Sequence, residues 1–172
     1  MFEKKIEQYV ELIIKRGLNI EAGDYLHIMA DVKSAKFAQQ ISKAAYAQGA
    51  KSVEVVYSDE VVEKLKGLHA DDSLFDIYPE SERVRFNTWA EQKSKRLSIV
   101  SPNPDGMAGV DSNKIMRYQK AASEPMKIYR DALMGNLMSW SIAAVPNNEW
   151  AVKVFPGAKT AEEAIEKLWD AI

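Results

Sequence analysis

The chain has 172 residues, 47% of them hydrophobic and 28% charged, a composition that suits one globular domain with a real core. Its 23 Lys plus Arg and 25 Asp plus Glu give a formal charge of -2 with both signs interspersed, so there is no basic block to track phosphates and no nucleic-acid partner is expected. The absence of cysteine removes disulfides, thiolate zinc sites and a cysteine nucleophile; no apolar run approaches the roughly 20 residues that span a bilayer, and the first residues lack a signal peptide's apolar core, so a cytoplasmic protein without a membrane partner is expected.

Residues 2–16 place Phe2, Ile6, Val10, Ile13 and Ile14 at helical spacing, with Gly17 at the expected C-cap. After the turn Glu21-Ala22-Gly23-Asp24, residues 25–30 are short and largely apolar, as a strand buried on both faces would be. Ser34 is expected to cap a helix carrying Phe37, Ala38, Ile41, Ala44 and Ala45, which Gly49 ends before a second strand over residues 52–57. Strand, helix, glycine and strand in that order predict a right-handed βαβ unit.

Ser58 or Asp59 should cap a third helix with Val61, Val62, Leu65 and Leu68 as its apolar residues. The charged residues 80–96 read as a further helix leading into a strand at 97–101, and the two prolines and glycine of Pro102-Asn103-Pro104-Asp105-Gly106 demand a loop. Residues 111–133 predict a long helix broken or kinked at Pro125, and 139–145 a fourth strand ending at Pro146. Thr160 and Glu163 stand at capping-box spacing before a last helix with Ala164, Ile165, Leu168, Trp169 and Ile172 on one face. The expected fold is α/β: a mostly parallel, doubly wound, Rossmann-like sheet of about four or more strands with helices on both faces, in a single domain over residues 1–172. A helix still running at Ile172, with no Gly, Pro or polar tail, is also what a cut inside a longer polypeptide would leave.

Metal-assisted hydrolysis needs about three His or carboxylate ligands and an open position for water. The two histidines do not offer this. His27 falls inside the first strand, where a hydrogen-bonded core imidazole is the commoner outcome. His69 precedes Ala70-Asp71-Asp72 at a helix end, where the ring suits the dipole and the aspartates suit the next turn. There is no His-Glu-x-x-His pair and no Gly-x-Ser-x-Gly elbow. Gly157-Ala158-Lys159-Thr160 lacks the glycine spacing of a phosphate loop, and Asp31-Val32-Lys33-Ser34 has no glycine to admit a dinucleotide. No catalytic, cofactor-binding or metal-ligating residue is therefore assigned.

Ligands of open α/β sheets bind beyond the carboxyl ends of the strands, where Asp31, Ser58, Asp59, Ser101, Asp105 and Asn147 would stand. They could converge on a cation such as a peptide amino terminus; capping of the following helix or turn is the reading preferred for each. Trp140, Trp150, Phe155 and Trp169 are read as packing residues.

The ordered segments Tyr9-Val10-Glu11-Leu12, Gly17-Leu18-Asn19-Ile20, Ala44-Ala45-Tyr46 with Gly49-Ala50, and Tyr57-Ser58-Asp59 resemble the start of the aminopeptidase T/S and PepS family. Asp105-Gly106-Met107-Ala108-Gly109-Val110-Asp111, Ser139-Trp140-Ser141-Ile142-Ala143-Ala144, Trp150-Ala151-Val152-Lys153-Val154-Phe155-Pro156 and Leu168-Trp169 extend the resemblance over essentially the whole chain. Gly135, and Pro102 within Ser101-Pro102-Asn103, depart from the family pattern in loops. The resemblance implies a dimeric exopeptidase that removes N-terminal residues from peptide substrates with two divalent metal ions, zinc, cobalt or similar. It places the Glu, His, Tyr and Asp ligands in a carboxyl-terminal catalytic domain with no counterpart here, so no metal ion is expected in this chain. The chain is then expected to be the N-terminal scaffold and cavity-wall domain, inactive alone. The alternatives are a stand-alone small-ligand-binding module and a dimerisation or interaction domain without catalysis.

Overall fold

The computed structural model describes residues 2–172, with side chains from Glu3 onward; the place expected for the Phe2 side chain on the first helix lies outside the described part. Helix α1 (Phe2–Leu12) widens into a π-helical turn at Ile13–Gly17 and leads to strand β1 (Tyr25–Asp31). A short 3-10 turn precedes helix α2 (Ala35–Ala47), then strand β2 (Ser52–Ser58), helix α3 (Glu60–His69), a second 3-10 turn (Asp72–Asp76), helix α4 (Glu80–Glu91) and strand β3 (Lys95–Val100). Helices α5 (Ser112–Ser123) and α6 (Lys127–Met134) precede strand β4 (Trp140–Ala144), and helices α7 (Asn148–Val154) and α8 (Ala161–Ala171) follow it.

The four strands form one parallel sheet in the order β2-β1-β3-β4, with Ile28 opposite Val55 on one side and Leu97 on the other. Alternation along the strands divides the side chains between two faces. Leu26, Ile28, Ala30, Leu97, Ile99 and Ala143 meet Val10, Ile13 and Ile14 at the end of the first helix and Phe37, Ala38 and Ile41 of α2. On the other face Met29 and Val56 meet Phe86 and Trp89 of α4 and Tyr129, Ala132 and Leu133 of α6. A third, smaller cluster joins Ala151 of α7 to Ala164 and Leu168 of α8. The α/β fold, parallel sheet and two-sided helix cover agree with the sequence expectation.

Local chemistry differs from that expectation in several places. Gly17 is not a left-handed cap; it lets the chain approach β4, where an added Cβ would lie 3.0 Å from Ser141 Oγ. The left-handed residue is Asn19, at φ 50°. Ser34 precedes α2, but its hydroxyl makes no cap bond, and Asp31 accepts from Lys33 N–H instead. Lys93, at φ 50°, ends the turn after α4 early enough for β3 to begin at Lys95 rather than at residue 97. Thr160 caps α8 by accepting from Glu163 N–H at 3.1 Å, while the Glu163 carboxylate accepts from Lys159 N–H, one residue before the reciprocal capping-box partner.

Both outer strands have a tyrosine at the edge. The Ala144 N–H of β4 donates to the Tyr9 hydroxyl and the Val53 N–H of β2 to the Tyr46 hydroxyl, each at 3.0 Å. Each bond satisfies an N–H on the side of the strand away from the sheet.

Candidate functional site

The chain leaves β1 toward α2 on one face and leaves β3 toward α5 and α6, which returns on the other; a crevice opens where such connections diverge. Beyond the strand ends a cleft of about 310 Å³ lies between Asp31, Glu60, Ser101 and Asn103. A second, of about 240 Å³, runs down the α4/α6 face past Ser58, Ser98 and Arg96. Asp31 borders both.

The strand-end residues named from the sequence are mostly engaged in holding loops. Asp31 Oδ1 accepts from Lys33 N–H at 2.9 Å and Oδ2 from Glu60 N–H at 3.1 Å, so one carboxylate ties the turn after β1 to the start of α3. Asp59 caps α3 by accepting from Val61 N–H at 2.9 Å. Asn147 donates from Nδ2 to Ser101 O at 2.7 Å and Ser101 Oγ at 3.0 Å, and its Oδ1 caps α7 through Trp150 N–H. The Asp105 carboxylate pairs with Lys153 at 2.7 Å. Ser58 borders the second cleft.

Sequence reasoning passed over Lys33, Glu60 and Glu149. Lys33 Nζ stands 3.2 Å from Glu149 Oε1 and 3.5 Å from Glu60 Oε2. Burial opposes the Lys33 charge, but the Glu149 hydrogen bond and the charges of Glu149, Glu60 and Asp31 outweigh it and hold its pKa above the ordinary lysine value. Gly106 makes room for this group, since an added Cβ would fall 1.5 Å from Glu60 Oε1. The available signal was positional: Lys33 lies in the short turn that follows β1 and Glu60 follows the α3 cap.

His27 is 1% exposed, stacked on the Trp89 ring at 4.0 Å and hydrogen-bonded through Nε2 to the Tyr129 hydroxyl at 2.7 Å. Burial, with a smaller effect of the Arg96 charge, pushes its pKa down to about 3, so it is a neutral core residue. His69 is exposed at the end of α3; Asp71 caps the next turn through Ser73 N–H, and Asp72 pairs with Arg117. Trp150 and Phe155 pack in the α7–α8 cluster and Trp169 sits edge-on to Tyr9 at 6.2 Å. Trp140 departs from the packing expectation: it is 48% exposed on the outer strand.

The donors do not fit a catalytic metal. Among the described residues no group of three or more His, Asp or Glu is placed to hold one. The nearest carboxylates are already bound, Asp31 to two backbone N–H groups and Glu60 and Glu149 to Lys33. No helix among the described residues is long and apolar enough to cross a membrane.

The family described as thermophilic metalloprotease (M29) matches residues 2–172. The chain belongs to the M29 family. Among similar M29 proteins, aminopeptidase 2 of Geobacillus stearothermophilus is 39% identical over 171 residues, covering 99% of this chain and 41% of that protein. Aminopeptidase AmpS of Bacillus subtilis is 37% identical, over 99% of this chain and 42% of its own length. The solved structure of wild-type AmpT from Thermus thermophilus superposes with a TM-score of 0.89 at 27% identity, over 99% of this chain and 43% of that one. The chain thus spans about two-fifths of the M29 relatives it matches.

Proposed function

We propose that this chain is the N-terminal scaffold domain of a metal-dependent aminopeptidase, walling the cavity in which N-terminal residues are removed from peptides. The observation that carries this reading is the pairing of a whole-chain M29 match with coverage of only 41% and 42% of relatives named aminopeptidases. The mismatch between the donors at the strand ends and a metal supports a division of labour: ligands on the remainder of the polypeptide, shape and support here. By the same reading the complete enzyme is a cytoplasmic dimer using two divalent ions such as zinc or cobalt.

In this domain Lys33, Glu60, Glu149 and Asp31 fix the loops after β1 and before α3 and α7, and the Asn147 clamp fixes the loop after β3. Rigid strand-end loops are what a cavity wall requires. The test is release of N-terminal residues from short peptides by the chain alone, with zinc or cobalt added, beside the same chain joined to the rest of its reading frame. Metal-dependent release only from the joined protein is expected; turnover by the 172 residues alone would overturn the assignment.

A further inference from the structure

The α4/α6 face of the sheet is only half covered. In a parallel sheet, residues paired across neighbouring strands point to the same face, so Trp140 and Ile142 of β4 share a face with Arg96 and Ser98 of β3. Helices α4 and α6 bury that face around His27 and Met138, yet Trp140 and Ile142 are 48% and 58% exposed. Apolar side chains of this size left open on a sheet otherwise packed on both sides mark a surface that takes an occupant.

The polar chemistry of this open face indicates the occupant. Arg96 lies along β3, its Nε donating to Ser98 Oγ at 3.1 Å and its guanidinium 5.9 Å from the centre of the Tyr129 ring. Ser98 and Arg96 line the cleft of about 240 Å³. Among the described residues no carboxylate ion-pairs with Arg96; the cleft's one acid, Asp31, accepts from two backbone N–H groups. His27, neutral beneath the guanidinium, leaves Arg96 as the cation of this pocket. A half-buried guanidinium that donates to a hydroxyl, lies over an aromatic ring and has no carboxylate partner among the described residues is a fork for a planar carboxylate, and the apolar surface alongside suits the side chain next to it.

We propose that Arg96 and Ser98 form a carboxylate subsite that holds the free C-terminus of a short peptide, with Ile142 and Trp140 receiving its last side chain. This rests on the reading of the domain as a wall of a peptidase cavity. It adds that the cavity recognises short peptides by the end opposite the one that is cut.

The test needs no turnover, so it fails or succeeds separately from the aminopeptidase reading. The chain is titrated with N-acetyl-leucyl-leucine and with its C-terminal amide while backbone amide and Arg Nε resonances are followed. The free acid is expected to shift Arg96 Nε and the Ser98 and Ile142 amides and to bind about tenfold more tightly than the amide, as loss of one charge-assisted contact implies. Arg96→Gln should abolish that preference and Arg96→Lys, which keeps the charge but not the fork, should retain part of it. Equal binding of acid and amide by the unaltered chain, a preference that survives Arg96→Gln in a folded variant, or shifts confined to another surface would overturn the proposal. Concentration-dependent dimerisation that buries Trp140 would also overturn it, giving the face to a second copy.

Discussion

At the scale of single residues, the two charged or titratable groups that matter most are held in opposite ways. His27 is neutral because its ring is enclosed between Trp89 and Tyr129, which pushes its pKa from 6.5 to about 3. Above the ordinary histidine value neither the folded nor the unfolded chain binds the proton. As pH falls below 6.5 the unfolded chain gains a proton that the fold refuses, so stability should fall by up to about 1.4 kcal/mol per pH unit until the folded pKa is approached. Melting temperatures measured from about pH 7 to about pH 4 should therefore show a flatter dependence in His27→Gln than in the unaltered chain; equal slopes would exclude His27 as the group responsible. Lys33, by contrast, is held charged by its carboxylates, and Glu149 lies below the usual carboxylate range because its own backbone N–H bonds the carboxylate, against a burial cost, with Lys33 adding a smaller lowering. Lys33→Met should raise the Glu149 pKa, read from its side-chain carboxyl resonance, and a Glu149 titration unchanged by the substitution would show that the backbone bond alone sets it. Little of this site was legible beforehand. The strand-end positions of Asp31, Ser101 and Asn147 could be read from spacing, but the convergence of Lys33, Glu60 and Glu149 depends on three loops meeting in space.

Among the secondary elements, punctuation was the reliable signal. Pro125 separates α5 from α6, and Gly49 closes the βα unit at φ 103° with an added Cβ 3.1 Å from Ala22 Cα. Gly49→Ala should consequently cost more than about 1 kcal/mol, from the positive φ and the contact with backbone that cannot rotate away, and denaturant unfolding would measure it. Apolar patterning was less reliable where a helix lies outside the layers. Val61, Val62, Leu65 and Leu68, the apolar residues by which the third helix was read, are all exposed on α3, which presents Gly67 to Val110. The α3–α5 region is fastened by polar contacts: Arg117 reaches from α5 to Asp72 and Asp76, and Lys114 to the Gly67 carbonyl. Because Arg117 and its partners are largely solvated, high salt or Arg117→Gln should speed amide exchange in the 3-10 turn at Asp72–Asp76 while leaving β1 and β3 protected; uniform protection would show that Phe75 packing holds the turn by itself. Helix α7 went unread because seven residues, starting at Asn148 after the Asn147 cap, carry too few turns for a periodicity to register.

For the whole molecule, alternation of strand and helix was enough to specify a parallel two-faced α/β sheet, because a parallel neighbour requires a crossover long enough for a helix. What alternation could not tell was how much of each face the helices would cover, since that depends on where α4 and α6 cross the strands. The uncovered part carries Ile142, and Ile142→Thr keeps β-branching while removing exposed apolar surface. It should change unfolding free energy by less than about 0.5 kcal/mol and raise solubility; a loss several times larger would show that the position is packed. The hydroxyls of Tyr9 and Tyr46 have a related effect at the margins of the sheet. By engaging the outward amides of Ala144 and Val53, they deny a fifth strand its first hydrogen bond on either flank. Fibre-like growth by strand addition at these points must wait until the first or second helix peels away, so the barrier to aggregation is set by helix docking as much as by the strands themselves.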